Sequence, residues 1–163
     1  MNAKDAIKTA LTSTQNLLSM YLSDLSDADL VVRPVPKANH IAWQLGHLIA
    51  SEVRMGEVVP GAAYPELPTG FAERHNPAAS SVDPPKGYGS KADYLGLFNK
   101  VREATLAGLA KMPDADLDKP TPGPMAKWAP TVGALLLLTA NHTLMHVGQF
   151  TVVRRKLGKP ILF

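Results

Sequence analysis

Apolar residues recur every three or four positions along four stretches of the chain, which is the spacing of one face of an α-helix. Over 3–25 they form a single stripe made of Ala6, Ile7, Ala10, Leu11, Leu17, Leu18, Tyr21, Leu22 and Leu25. The same spacing predicts a second helix over 39–58, a third over 91–112 and a fourth over 132–157. The chain is therefore predicted to be all-α, with four long helices.

Local signals mark the ends of these helices. Asn39 precedes the second helix and is a residue type that commonly caps a helix N-terminus. Ser26 and Ser90 each stand three positions before an aspartate, as in a capping box. They predict a short helical turn after the first helix and the start of the third. Thr131 is expected to cap the fourth helix, which ends before Gly158.

Segment 59–89 separates the second and third helices and has no helical period. It contains six prolines and four glycines. We interpret it as a long crossover inside one domain that covers 1–163. A crossover of this length can run along a bundle, so the second and third helices can be parallel. Loops this long are often functional.

The two halves of the chain share an order of elements. Asp-Ala-Asp-Leu begins at Asp27 and again at Asp114, each time after an amphipathic helix. Each copy precedes a proline-containing loop, a tryptophan and a histidine-bearing helix. Two helical hairpins related in this way, joined by the crossover, predict a four-helix bundle.

Three histidines fall on faces that are expected to point into this bundle. His142 and His146 are four residues apart on the fourth helix, so their Cβ atoms should be about 5–6 Å apart. His47 lies midway along the second helix among apolar residues. Buried imidazoles need polar partners, because an unsatisfied buried polar group is costly. One metal ion, at roughly 2.0–2.2 Å from each nitrogen, would satisfy all three.

The surrounding sequence narrows the kind of metal site. Cysteine is absent, which excludes thiolate ligands and disulfides. Thr143 follows His142 where a zinc peptidase motif has its glutamate base, so that mechanism is disfavoured. The Glu-x-x-His pattern of di-iron bundles is also missing. We predict one divalent ion, Zn²⁺ or Ni²⁺ first and Fe²⁺ or Mn²⁺ as alternatives, with water in the open positions.

Polar residues near the histidines are candidates to orient a ligand or bound water. Gln149 lies one turn beyond His146, while Gln44 and Ser51 flank His47 at i−3 and i+4. A helix hydrogen bond at the end of the bundle is an equal alternative for Gln149, whereas Gln44 and Ser51 are interpreted first as ordinary polar neighbours.

Three other rings are assigned structural roles. Trp43 is expected to pack in the core or at a dimer interface. His40 lies two turns from His47, about 10 Å along the helix, which is too far to share an ion. His75 lies in the crossover and is expected to be an exposed loop histidine, with a role in a lid over the metal as the alternative.

Charge and hydropathy exclude some partners. The net charge is +3, and the densest basic cluster, at 154–159, is interpreted as completing the last turns of a helix. A nucleic-acid surface would combine a basic face with exposed aromatic side chains, so this partner is disfavoured. No stretch reaches the roughly 18–20 apolar residues of a membrane span, and the first ten residues do not read as a signal peptide. We expect a cytoplasmic protein.

The histidine motifs resemble those of the DinB-like superfamily, which includes the DinB and YfiT-like proteins and a domain of mycothiol-dependent enzymes. The resemblance spans essentially the whole chain, and the residues that carry it are Trp43-x-x-x-His47, His142-x-x-x-His146-x-Gly148-Gln149 and Arg33-Pro34. It implies a four-helix bundle with up-down-down-up order. It also implies one metal held by the three histidines, and frequent homodimers.

The resemblance also suggests a chemistry. Some members transfer or isomerise groups with low-molecular-weight thiols such as bacillithiol, mycothiol or glutathione. We therefore expect a metal-dependent thiol S-transferase that acts on a small molecule. A metal-dependent hydrolase and a non-catalytic, stress-related metal-binding protein are the alternatives. Val147 stands where relatives often have a basic residue, so an anionic substrate would need another partner.

Overall fold

The computed structural model describes residues 1–162, which form helices and turns without an extended strand. The helices are α1 (Ala3–Leu22), α2 (Asp27–Leu30), α3 (Ile41–Met55), α4 (Phe71–Arg74), α5 (Lys91–Lys111) and α6 (Val132–Lys156). Short 3₁₀ turns cover Gly56–Val58, Pro77–Ala79, Asp114–Asp118 and Gly123–Lys127. The four long helices are those predicted from the apolar spacing, with ends that differ by at most three residues.

Contacts between helix ends give the direction of two neighbours of α1. Lys4, at the start of α1, donates to the carbonyl of Met112 just after α5, at 2.7 Å. Arg154, near the end of α6, donates to the carbonyl of Tyr21 near the end of α1, at 2.9 Å. Helix α5 therefore runs antiparallel to α1, and α6 runs parallel to it.

The direction of α3 follows from its contacts with α6. Gln44 near the start of α3 contacts His146 late in α6, whereas Met55 at the end of α3 contacts Thr139, which comes earlier in α6. Helices α3 and α6 are antiparallel, so the long helices run up, down, down and up. The predicted four-helix bundle and its order are confirmed.

The packing of the long helices differs from the two hairpins expected from the internal repeat. Helix α1 packs against α5 and α6, and α3 packs against the same two helices. Consequently α1 and α3 lie across the bundle from each other, as do α5 and α6. The long connections at 31–40 and 113–130 make this diagonal arrangement possible.

The caps predicted at Ser26, Ser90 and Thr131 are confirmed, because each side chain accepts a backbone N–H from the first turn of its helix. The cap predicted at Asn39 is wrong. Helix α3 begins at Ile41, and Nδ1 of His40 accepts the N–H of Trp43 at 3.1 Å. An unprotonated imidazole nitrogen is a hydrogen-bond acceptor and can take the place of an asparagine oxygen.

The crossover packs tightly on the bundle over two glycines, one in α3 and one in the 3₁₀ turn that follows it. The ring of His75 covers Gly46, where a Cβ would lie 2.1 Å from the imidazole. The hydroxyl of Tyr64 likewise covers Gly56 and bonds to Thr105 on α5 at 3.1 Å. His75 is only 2% exposed, so its prediction as an exposed loop histidine is wrong. A periodicity search cannot detect a loop side chain that packs on a glycine.

A buried ion pair lies at the centre of the bundle. Arg102 of α5 is fully buried and donates to both carboxylate oxygens of Glu52 on α3, each at 2.8 Å. The same guanidinium donates to the carbonyl of Leu11 on α1 and, at 3.0 Å, to the hydroxyl of Thr143 on α6. Thr105 donates to the carboxylate as well, at 2.8 Å. One network therefore joins all four long helices.

Helix α6 carries apolar side chains on two sides. Its inward side chains belong to the core, whereas four large ones are more than 40% exposed: Leu137, Leu144, Met145 and Val152. Despite this apolar character, no helix within residues 1–162 has the length and hydropathy required to span a membrane.

Candidate metal centre

The antiparallel packing of α3 and α6 brings three histidine side chains together. One ring nitrogen from each of His47, His142 and His146 lies within 4.8 Å of the others. The Nε2 atoms of His142 and His146 are 3.2 Å apart, and the ring centre of His47 is 5.1 Å and 5.4 Å from those of the other two. The three residues predicted to share an ion therefore meet at one point.

Gln44 orients the imidazole of His146. Its amide Nε2 donates to the carbonyl of Asn39 at 3.0 Å, so Oε1 is the atom that faces His146. That oxygen lies 2.8 Å from Nδ1 of His146 and can only accept. Nδ1 therefore carries the proton, and the lone pair of Nε2 points toward His142. Partners of this kind commonly fix the tautomer of a metal-binding histidine.

His47 is held by the residue one turn before it and by the crossover. Trp43 stacks on its ring at 4.9 Å with an angle of 11° between the planes. The indole Nε1 donates to the carbonyl of Asn76 at 3.0 Å. The backbone of His75 lies close enough to the ring of His47 to raise its pKa, against the effect of burial. The crossover thus fixes His47 from outside the bundle.

The three imidazoles are neutral at pH 7. Burial lowers the pKa of His142 to about 4 and that of His146 to about 3, and the neighbouring rings act in the same direction. Burial also lowers the pKa of His47, against the opposing hydrogen bond to the His75 backbone, and the charge of Arg54 lowers it further. Neutral imidazole is the form that binds a metal ion.

The geometry fits one divalent ion. Two nitrogens bound to tetrahedral zinc at about 2.0–2.1 Å would lie about 3.3 Å apart, close to the 3.2 Å between His142 and His146. The third nitrogen, on His47, lies within 4.8 Å of the other two and would have to move closer to them to bind the same ion. Three neutral nitrogens leave at least one coordination position open, which is typical of catalytic rather than structural zinc sites.

No carboxylate contributes to the centre among residues 1–162. The charges that act on the three rings are those of Arg54 and of the rings themselves. Glu52, five residues after His47, is occupied by its ion pair with Arg102. The centre therefore lacks the carboxylate that serves as general base in many metal hydrolases.

The two remaining candidates near the centre make no hydrogen bond to the rings among residues 1–162. Gln149 lies on the exposed side of α6, and Ser51 is buried on α3. Within the part of the chain that the structure describes, no hydrogen bond joins either side chain to His47, His142 or His146. Gln44 is the candidate that does touch the centre.

The buried His40 predicts a pH-dependent stability. Burial, with the charge of Arg33 adding to it, lowers its pKa to about 4. Between pH 6.5 and pH 4, His40 is protonated in the unfolded chain and neutral in the folded chain. Its contribution to the free energy of unfolding is therefore present above pH 6.5 and is lost as the pH falls toward 4. Titration of His40 lowers the free energy of unfolding by at most about 3 kcal/mol.

Urea unfolding of the metal-free protein at pH 7 and pH 5 tests this contribution. The variant His40→Asn keeps an oxygen that can cap α3 and removes the titrating group. It should lose less stability than the wild-type protein between the two pH values. An equal loss in both proteins would contradict the prediction.

An up-down-down-up bundle with histidines from its second and fourth long helices defines a class of candidate mononuclear metal proteins. The sequence profile of the DinB superfamily matches residues 10–150. The chain therefore belongs to the DinB superfamily.

The fold also matches a solved structure, that of YfiT from Bacillus subtilis, with a TM-score of 0.67 and 17% sequence identity. The match covers 96% of this chain and 89% of YfiT, which is described as a probable metal-dependent hydrolase with an unusual four-helix bundle topology. At this identity the match concerns the fold. No curated protein sequence matches the chain.

Proposed function

We propose that this protein holds one divalent metal ion through His47, His142 and His146 and catalyses a reaction of a small thiol or a thiol-bearing adduct. The observation that carries the proposal is the convergence of three neutral imidazole nitrogens within 4.8 Å. The membership of the DinB superfamily supports it. Zn²⁺ or Ni²⁺ suits three nitrogen ligands best, with Fe²⁺ or Mn²⁺ as alternatives.

The absence of a carboxylate at the centre favours a thiol as substrate. The bound ion supplies Lewis acidity, which lowers the pKa of a coordinated thiol so that no separate base is needed. The protein contributes orientation: Gln44 fixes His146, while Trp43 and the backbone of His75 fix His47. Thiol S-transfer is therefore the reaction that we favour.

Metal-dependent hydrolysis is the second candidate. The description of YfiT as a probable metal-dependent hydrolase supports it, and the open coordination position would also accept water. Hydrolysis would have to proceed without a carboxylate base from the described residues around the three rings.

A paired assay separates these reactions. The metal-loaded protein is supplied with monochlorobimane and bacillithiol, mycothiol or glutathione, and separately with p-nitrophenyl acetate. We expect thiol-dependent turnover that requires the metal and is absent from His146→Ala. Ester hydrolysis without thiol turnover would support the hydrolase. No reaction by a protein that retains its metal would support a non-catalytic, stress-related role.

Other parts of the proposal rest on the family. A homodimer and a small-molecule substrate are what the DinB resemblance leads us to expect, and a cytoplasmic location is proposed because the chain has no cysteine and its first residues do not read as a signal peptide. The exposed apolar side chains of α6, defined above, are compatible with a second copy of the chain as partner.

A further inference from the structure

A cavity of about 680 Å³ lies between the crossover and the first turns of α5. Its volume is in the range of small-molecule sites, roughly 300–1,000 Å³. None of the three histidines of the metal centre lines it. Apolar and aromatic residues form much of its wall, namely Pro68, Phe71, Tyr88, Tyr94 and Leu97. His75 lies between the two sites, since it lines the cavity and its backbone influences the pKa of His47.

The inner wall of the cavity is held by a chain of hydrogen bonds. Nδ1 of His75 lies 2.7 Å from the carbonyl of Phe71, which can only accept, so this nitrogen carries the proton. The hydroxyl of Tyr94 therefore donates to Nε2 of His75, at 2.8 Å. Phe71 and Tyr94 are 6% and 3% exposed, so both rings are fixed by packing as well. A wall that is already ordered does not have to be immobilised when a ligand binds.

Glycine keeps the cavity open on the side of α5. A Cβ added to Gly96 would find no atom within 4 Å. A glycine in the interior of a helix lowers the stability of that helix by about 1 kcal/mol relative to alanine. At Gly96 no closely packed neighbour requires the absence of a side chain. Gly96 lines the cavity, so a larger side chain at this position can reduce the space available to a ligand.

The wall of the cavity carries two cations and two carboxylates, so its formal charges cancel. Arg74 and Lys100 line it, and neither forms an ion pair within residues 1–162. Glu66 contributes one opposing charge. The carboxylate of Asp93, which also lines the cavity, is engaged with the N–H and hydroxyl of Ser90 at 3.0 Å and 2.7 Å. Arg74 and Lys100 each offer a cation with which the acidic group of a ligand can pair.

We propose that this cavity is a second binding site, separate from the metal centre, for a small aromatic carboxylate. The aromatic ring would pack between Phe71 and Tyr88. The carboxylate would lie at the rim, beside Arg74 and Lys100.

Calorimetric titration with 1-naphthoate tests the charge preference, with 1-naphthalenemethanol as the neutral analogue of the same shape. We expect 1-naphthoate to bind with a Kd of about 0.1 mM, as the size of the ligand suggests. Arg74→Gln and Lys100→Gln should each weaken this binding about threefold to fivefold, because exposed charges interact modestly. Neither variant should change the binding of the neutral analogue. Unchanged binding of 1-naphthoate in both variants would overturn the proposal.

The variant Gly96→Leu tests the location, because leucine fills the cavity and favours the helix. It should weaken 1-naphthoate binding at least about tenfold, given that the added side chain occupies the ligand's volume. Gly148→Leu is the matched control, since a Cβ at Gly148 also meets no atom within 4 Å. It should bind like the wild-type protein. Equal affinity of all three proteins, or an equal loss in both variants, would overturn the proposal.

Both titrations are repeated on the chelator-treated protein and on the metal-loaded protein. We expect the same affinity for 1-naphthoate in each form, because none of the three histidines lines the cavity. Binding that requires the metal would place the carboxylate at the metal centre and overturn the second site. The outcome is thereby distinguishable from a failure of the proposed thiol chemistry.

Discussion

Replacement of Glu52 by alanine is expected to lower the free energy of unfolding by about 3–5 kcal/mol, since it leaves a charged guanidinium buried without its partner. Arg102 is fully buried, and two of its hydrogen bonds go to this carboxylate. The carbonyl of Leu11 and the hydroxyl of Thr143 would remain as acceptors, but neither carries a charge. Urea unfolding of the variant and the wild-type protein measures the difference.

Two further variants show whether the loss comes from the unpaired charge. The double variant Glu52→Leu with Arg102→Met removes both charges and should lose less stability than Glu52→Ala alone, because a buried pair can often be replaced by apolar residues. Lys119→Ala removes the ion pair with Asp116, whose lysine is 65% exposed, and should cost less than about 1 kcal/mol. A loss for Glu52→Ala as small as that of Lys119→Ala would contradict the prediction.

Replacement of His146 by alanine is expected to reduce the metal content from about one ion per chain to nearly none. Two imidazoles at an open site bind a divalent ion much more weakly than three, so micromolar protein should lose the ion during dialysis. Elemental analysis of the purified proteins measures the content. Circular dichroism of the variant checks that the bundle is retained. Equal metal content in both proteins would refute the assignment of the ligands.

Two more variants distinguish the loss of a metal ligand from changes to other residues near the three histidines. His40→Asn changes a buried histidine that caps α3, and it should keep a full complement of metal. Gln44→Ala removes the partner of Nδ1 of His146 and should weaken metal affinity about 10- to 100-fold, with the ion still bound at saturation. A Gln44→Ala protein with unchanged affinity would show that the hydrogen bond does not tune the ligand.

The long helices could be predicted because burial of one face imposes a period that the sequence must carry. The caps at Ser26, Ser90 and Thr131 could also be predicted, since hydroxyl side chains accept backbone N–H groups at helix starts. The residue that caps α3 could not be predicted from the sequence. Imidazole is an uncommon cap, and the choice between Asn39 and His40 depends on which side chain points back toward the helix.

The histidine cluster could be predicted from the sequence because residues i and i+4 share a helix face and buried neutral imidazoles need polar partners. The ion pair between Glu52 and Arg102 was missed, although a signal existed. Arg102 lies four residues after Phe98 and three before Thr105, on the inward stripe of its helix. A buried arginine of this kind predicts an acidic partner on the inward face of another helix.

The position of His75 had no comparable signal. Its burial depends on the absence of a side chain at Gly46 and on a turn of the crossover, and no period along the chain encodes either. Contacts between a loop and a helix surface are set by the three-dimensional path of the loop. The three histidines of the candidate centre could therefore be predicted from the sequence, whereas the crossover residue that covers Gly46 could not.

The contact between His75 and α3 has a consequence for the time at which the centre forms. Trp43, which stacks on His47, gains its hydrogen bond to Asn76 only after the chain has left α3 and the crossover has returned to cover Gly46. His142 and His146 on α6 are synthesised after both α3 and the crossover. We therefore expect the nascent chain to lack affinity for the ion until the whole bundle has closed. Metal capture would then mark the completion of folding, which protects a partly made chain from acquiring an ion too early.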